Sequence, residues 1–320
     1  MEHDPVLRDA EAWFLRHGLP YFVESERRVV QRGLSRARLL PVLTGALLAG
    51  AAVGVLAGLL QRDVSGGLVA GLLGAGAVLA GYAGTTLRLG PIARWAAGRT
   101  LSSLGLMFPL VTRALPLLLL FVTFLFINTE VWMVADSLDR GVLALAVMFF
   151  AAMAVGFLLV RLPEEMDRVD DDTDAGRLRE RTRGTPVEGA PAEVFDQTPE
   201  TELRDVLEVT GLQKWNLVLV LLVAQALQVL LLSVAVLLFF LVFGSVVMQP
   251  EVVRAWLGDP DASVTGPLVK VSVFLAGFSG LYFTVYAVTD GTYRQQFFTS
   301  VTRELEQAVA VRAVYRTLLR

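Results

Sequence analysis

The chain has 320 residues, 54% of them hydrophobic and only 18% charged, with a mean hydropathy of +0.58. It has no cysteine, which excludes disulfides, thiolate metal sites and a lipid-modified cysteine. The net charge of −3 says little, because in a membrane protein the distribution of charge matters more than its sum.

Six intervals carry no charged side chain: 39–61, 64–87, 114–129, 141–160, 215–250 and 271–289. A bilayer's hydrocarbon core is about 30 Å thick and takes about 20 apolar helical residues to cross. The longest interval has an apolar heart from Leu217 to Met248, and a helix over 216–248 would run about 50 Å. The third interval is short because Arg113 bounds it, while apolar residues continue from Leu104 to Ala135. The expected fold is therefore all-α, a polytopic membrane protein of six transmembrane helices with cytoplasmic amphipathic helices at both ends.

Basic residues fix the expected orientation. Segments 1–38, 88–113, 161–214 and 290–320 hold 7, 4, 8 and 5 Arg or Lys, whereas the intervening loops hold only Arg62, Arg140, Arg254 and Lys270. Such alternation follows the positive-inside rule with both termini cytoplasmic. The first apolar run begins near residue 39, too far in for a cleaved signal peptide.

In chain order, residues 1–38 should form interfacial or cytoplasmic helices. Asp4 and Pro5 start one, with Val6, Ala10, Trp13, Phe14 and His17 on one face and Gly18 ending it. A second, from Ser25 to about Leu34, either lays Arg27, Arg28, Arg32, Arg36 and Arg38 near lipid phosphates or caps the bundle. Residues 39–160 should hold four spans, at about 39–61, 64–87, 110–134 and 141–160. Gly50, Gly54 and Gly58 form one small-residue ladder and Gly67 and Gly71 begin another. Ladders of this kind let helices approach closely, either within one hairpin or between subunits of a homo-oligomer.

Residues 88–113 are basic, with Trp95 suited to an aromatic belt, and Pro109 and Pro116 predict a kink near the inner end of the third span. The fourth span lacks polar side chains and reads as lipid-facing. Residues 161–214 form an acidic linker, with the composition of a disordered segment over 184–200. Asp170, Asp172 and Asp174 resemble half of a calcium loop, but Ala175 and Arg181 stand where that loop needs glycine and glutamate.

Residues 215–289 should supply two more spans, at about 216–248 and 268–289. Gln225 and Gln228 share a face of the first, either as interhelical hydrogen-bond partners or as the lining of a polar path. Tyr282 and Tyr286 form a stripe on the second. Asp290, at its cytoplasmic end, is a candidate ion-pair partner for Arg113. Residues 290–320 read as an amphipathic cytoplasmic helix, with Arg312, Arg316 and Arg320 in a ridge that expects anionic inner-leaflet lipid.

No P-loop lysine is present, and the only histidines are His3 and His17, so no cofactor or metal is expected. Gly277-Phe278-Ser279-Gly280 invites comparison with rhomboid proteases, but no intramembrane histidine exists to activate the serine. The strings HGLPYFV at 17–23 and VTDGTYRQQFFTSVTRELEQAVAVRAVYRTLL at 288–319 resemble those of uncharacterised integral membrane proteins of actinobacteria. The resemblance implies a bacterial inner membrane and transfers no catalytic or binding residue. The functional expectation is a non-enzymatic, structural or regulatory membrane protein that docks through its cytoplasmic helices and linker. A transport or channel component is the alternative and a membrane-embedded enzyme the third reading. Nothing points to a nucleic-acid partner.

Overall fold

The structure, a computed structural model, describes residues 5–102, 119–171, 182–188, 209–289 and 307–316, with the side chains of 164–171 and 287–289 left undescribed. Its elements are helices α1 (Pro5–Arg16), α2 (Glu24–Gly33), α3 (Arg36–Gln61), α4 (Val64–Thr85) and α5 (Leu89–Ser102). There follow α6 (Leu119–Phe126), α7 (Thr129–Ser137), α8 (Arg140–Asp171), α9 (Gly211–Val247), α10 (Pro250–Leu257), α11 (Thr265–Thr289) and α12 (307–316). A 3₁₀ turn, Pro20–Phe22, joins α1 to α2. Five helices, α3, α4, α8, α9 and α11, are long and apolar enough to cross a membrane, and the bent pair α6–α7 would make a sixth. The chain is a multi-pass membrane protein.

Both ends of the chain meet at one pole. Phe14 of α1 packs edge-on against Tyr315 of α12 with ring centres 5.7 Å apart, and the Tyr315 hydroxyl donates to Glu11 Oε1 at 2.7 Å. At this terminal pole α1, the 3₁₀ turn, α5, the start of α9 and α12 enclose one apolar core around Phe14, Phe22, Ile92 and Leu217. A second core lies at the distal pole, around Phe126, Trp132, Phe240 and Leu275.

Helices α3 and α4 form a hairpin closed by only two residues. Arg62 takes the left-handed conformation (φ 51°), and Asp63 caps α4 by accepting from the backbone N–H of Ser65 and Gly66, both at 2.9 Å. The hydrogen bond from the Ser65 hydroxyl, and after it those two amides, holds the Asp63 carboxyl below the usual carboxylate range. The two glycine ladders face each other across the hairpin. A Cβ on Gly50 would lie 2.7 Å from Gly71 O, and one on Gly67 would lie 2.8 Å from Gly54 O. Only glycine permits backbones so close, which gains dispersion and Cα–H···O contacts. Gly58 is looser, its nearest neighbour at 3.6 Å from such a Cβ. Helix α3 packs mainly on α4, and its leucines stay exposed, as suits a surface bathed in hydrocarbon.

Four expectations need correction. The third span, expected at about 110–134 with a kink near its inner end, is instead broken near its distal end, where α6 and α7 meet at 72°. Asn128 causes the break: its side chain accepts from Glu130 N (2.8 Å) and Val131 N (3.4 Å) and starts a new helix. Trp132 Nε1 then donates to Phe126 O at 2.6 Å, satisfying a carbonyl that the break frees. Pro109, Arg113 and Pro116 lie outside the described residues.

The fourth span does not simply face lipid. Leu143, Ala154, Leu158 and Leu162 are buried, and Val147 and Phe150 pack against Gly277 of α11. A small residue on the neighbour, rather than a polar one on α8 itself, draws this helix into the bundle. The linker begins later than residue 161, because α8 continues through Pro163 to Asp171. The span expected from 216 starts five residues earlier, with Gly211 (φ 60°) opening α9.

Helix α10 was not anticipated. It lies between α9 and α11 at the distal pole, where Trp256 meets Trp132 edge-on at 5.9 Å and Lys270 Nζ donates to Asp136.

Candidate functional site

The terminal pole is held by a buried polar clamp. Asn216, in the second turn of α9, is 0% exposed; its Nδ2 donates to Gly18 O at 2.9 Å and its Oδ1 accepts from Tyr21 N at 2.8 Å. One amide thus satisfies the donor and the acceptor that the tight turn at 18–21 leaves inside the core. Gly18 is needed there: its φ is +69°, and a Cβ would sit 3.0 Å from Trp95 Cβ. Tyr21 Oη donates to Leu87 O (2.6 Å) and Tyr82 Oη to Gly33 O (2.7 Å), tying the α1–α2 segment to the end of α4. Burial pushes the Tyr21 phenol up to about 12, so it keeps the proton its hydrogen bond uses. Burial and then Glu11, as hydrogen-bond partner and as charge, hold Tyr315 well above the usual phenol range.

His17 stacks on Trp13 with ring centres 4.0 Å apart, and its Nδ1 lies 2.8 Å from Trp13 O. Burial lowers its pKa, the Trp13 carbonyl opposes the shift, and the charges of Arg16 and Arg99 add to it. The fold therefore selects the neutral ring. Its contribution to stability is intact above the unfolded-state value of about 6.5 and is lost as pH falls through that value toward the lowered folded one. Melting in detergent should show acid destabilisation below that value, weakened in His17→Gln; an unaltered pH profile would argue against the assignment.

The sequence-predicted sites fare unequally. Arg312 is not at the lipid surface: it is 2% exposed and its Nε donates to Gln213 Oε1 of α9 at 2.7 Å. The expected ridge is corrected at that position, because the i, i+4 spacing marks a face without saying what covers it. Arg316 is half-buried, and Arg320 lies outside the described residues. The candidate pair Arg113 and Asp290 also lies outside them.

Gln225 is 1% exposed, and neither its Oε1 nor that of Gln228 has a hydrogen-bond partner among the described residues. Ser272 Oγ shares that state. Tyr282 stacks between Phe121 (5.8 Å) and Tyr286 (6.2 Å). Neither the cavity between α8, α9 and α11 nor the groove along the α3–α4 hairpin is lined by Gln225, Gln228, Tyr282 or Tyr286. Ser279 is buried and donates to Leu275 O at 2.6 Å, a bond within its own helix.

A cavity does open within the spans, on a different face. It has a volume of about 420 Å³ and is lined by residues between 147 and 158 of α8, 226 and 237 of α9, and 273 and 284 of α11. Small residues (Ala151, Ala154, Ala226, Ala276) provide its room, while Phe150 and Leu230 stand beside it. Ser233 and Thr284 are its hydroxyl-bearing side chains, and Thr284 Oγ1 donates to Gly280 O at 2.8 Å. The lining suits hydrocarbon.

Sequence reasoning missed Asn216 and Gln213. Both lie at the start of the longest apolar run, in LQKWN, where interfacial residues are expected and a buried amide gives no separate signal. The groove was equally invisible, since it depends on which alanines from three distant helices face one another. Compared with protein-family models, with curated proteins and with solved structures, the chain matches none.

Proposed function

We propose that the protein is a non-enzymatic, structural or regulatory membrane protein that acts through a folded cap and linker on its terminal side. The clamp at Asn216 carries this reading: buried polar groups at that pole tie distant segments of the chain into one body. They are engaged with one another rather than arranged around a reacting centre. The setting is a bacterial inner membrane crossed six times with both termini cytoplasmic, a reading supported by the one-sided distribution of basic residues. On the cap's outer face Arg28, Arg32, Arg36 and Arg38 are exposed, which suits contact with anionic inner-leaflet lipid. The exposed face of the α3–α4 hairpin is the surface through which a homo-oligomer would form.

The alternative, a transport or channel component, draws on Gln225 and Ser272, buried within the spans without partners among the described residues. One experiment separates the two. Purified protein reconstituted into vesicles should leave proton, potassium and glycerol permeability at the level of protein-free vesicles. Flux that depends on the protein and disappears in Gln225→Leu would replace the structural reading with the transport one.

A further inference from the structure

We propose that the turn between α2 and α3 is a headgroup site for an anionic phospholipid, whose phosphate is held by Arg32, Arg36 and Arg38. The site rests on the reading of a cap at the membrane surface and names the partner of its outer face. All three arginines are exposed.

Their charge is uncompensated. Two neighbouring arginines are already matched, Arg28 to Glu24 at 3.8 Å and Arg88 to Glu26 at 2.6 Å. Arg32, Arg36 and Arg38 form no ion pair with any described residue. Between Glu26 and Glu130 the sequence holds a single acid, Asp63, and that lies at the far end of the α3–α4 hairpin. Only Leu34 and Ser35 separate α2 from α3, so the three cations are confined to a short turn. The first turn of α3 carries no acidic residue, and the positive end of that helix adds to their field. Guanidinium groups match the oxygens of a phosphate in geometry as well as in charge.

Polarity and depth select a lipid over a soluble anion. Leu34 and Leu40 alternate with the arginines along the chain and are exposed. A free phosphate or an acidic peptide would leave them in water, whereas a membrane surface accepts both kinds of side chain together. Below Arg36 the same face of α3 continues through Leu40, Leu43 and Leu47, all of them exposed. The helix from Arg36 to Leu47 is about 16 Å long, roughly half of a 30 Å hydrocarbon core. A phosphate at Arg36 therefore has one leaflet's depth of leucine beneath it for its acyl chain.

The test uses the full chain in neutral detergent micelles, with bound lipid counted by native mass spectrometry as phosphatidylglycerol or phosphatidylcholine is added. Phosphatidylglycerol should bind more tightly, each arginine supplying about fivefold of the preference and the three together about a hundredfold. Arg32→Gln, Arg36→Gln and Arg38→Gln combined should remove the preference. Lysine at the same three positions should keep most of it, which guards against a misfolded glutamine variant. Arg62→Gln, Arg140→Gln and Arg254→Gln combined strip three exposed charges from the distal pole and should leave it intact. The proposal is overturned by equal binding of the two lipids, by a preference that survives the glutamine set, or by an equal loss from the distal set. Displacement of the lipid by equimolar inorganic phosphate would overturn it in favour of a soluble anion. A preference that emerges only when the acidic run at 164–174 is neutralised would overturn it in favour of the chain's own linker. Binding and flux are separate readouts: tight vesicles without lipid preference would sink this site alone, and leaky vesicles with the preference intact would sink only the structural reading.

Discussion

Asn216→Leu should destabilise the protein more than any other single substitution at the terminal pole. The side chain keeps its approximate volume, so packing changes little, but two hydrogen bonds disappear together. Tyr21 N–H and Gly18 C=O are then left inside an apolar core with no replacement partner. Each buried group so orphaned costs about 1–3 kcal/mol, which makes the expected loss for the two about 2–6 kcal/mol. Asn216→Asp should not rescue it, because an oxygen would face the Gly18 carbonyl where a donor now stands. The melting temperature in detergent reports the total. Hydrogen exchange of the Tyr21 amide reports the cause, and should rise from protected to fast in the leucine variant. A variant with wild-type melting and a still-protected Tyr21 amide would show that the clamp is not what holds the cap.

The same arithmetic bears on the proposed structural or regulatory role. The turn at 18–21 is the only route from α1 to α2, so losing its anchor would loosen the contact of α1 with α12 through Glu11 and Tyr315. The cap would then come apart while the spans, which bury their own apolar faces, stayed inserted. A structural or regulatory role should be sensitive to this change, whereas a pore formed by the spans should tolerate it.

What could be read in the sequence follows from the range of the forces involved. The long spans were legible because hydrocarbon thickness sets a minimum length that five helices meet with no help from their neighbours. The α3–α4 pairing was legible because a short loop forces two glycine ladders together. The break at Asn128 was not, because apolar residues continue past it to Ala135 and an asparagine near the outer end of a span does not by itself say that its side chain caps a new helix. Arg312 was misplaced for a related reason: its partner, Gln213, lies 99 residues away, and only the tertiary fold turns that face of α12 inward. Gln225 was correctly singled out as costly, but no partner for its Oε1 stands among the described residues. Sequence located the polar groups more readily than their partners.

The second large effect lies in the hairpin, and it is a contrast of sign. Gly67→Ala puts a methyl 2.8 Å from Gly54 O and 2.9 Å from Gly58 Cα, and Gly54→Ala puts one 2.9 Å from Gly67 O. The obstacles are backbone atoms, so no rotamer change relieves them and the helices must move apart. Overpacking of this kind costs about 1–3 kcal/mol per site. Gly76→Ala, two turns further along α4, meets nothing within 4 Å. There the only consequence is the better helix propensity of alanine, a gain of up to about 1 kcal/mol in water and less where the bilayer already enforces the helix. Melting of the three variants in one detergent should therefore show two losses and one neutral or favourable change. Identical chemistry with opposite outcomes on one helix would tie the stability of the hairpin to backbone approach rather than to glycine content. Equal losses at Gly67 and Gly76 would mean instead that the exposed face of α4 is covered by a partner, which would turn the hairpin from an isolated pair into an interface between subunits.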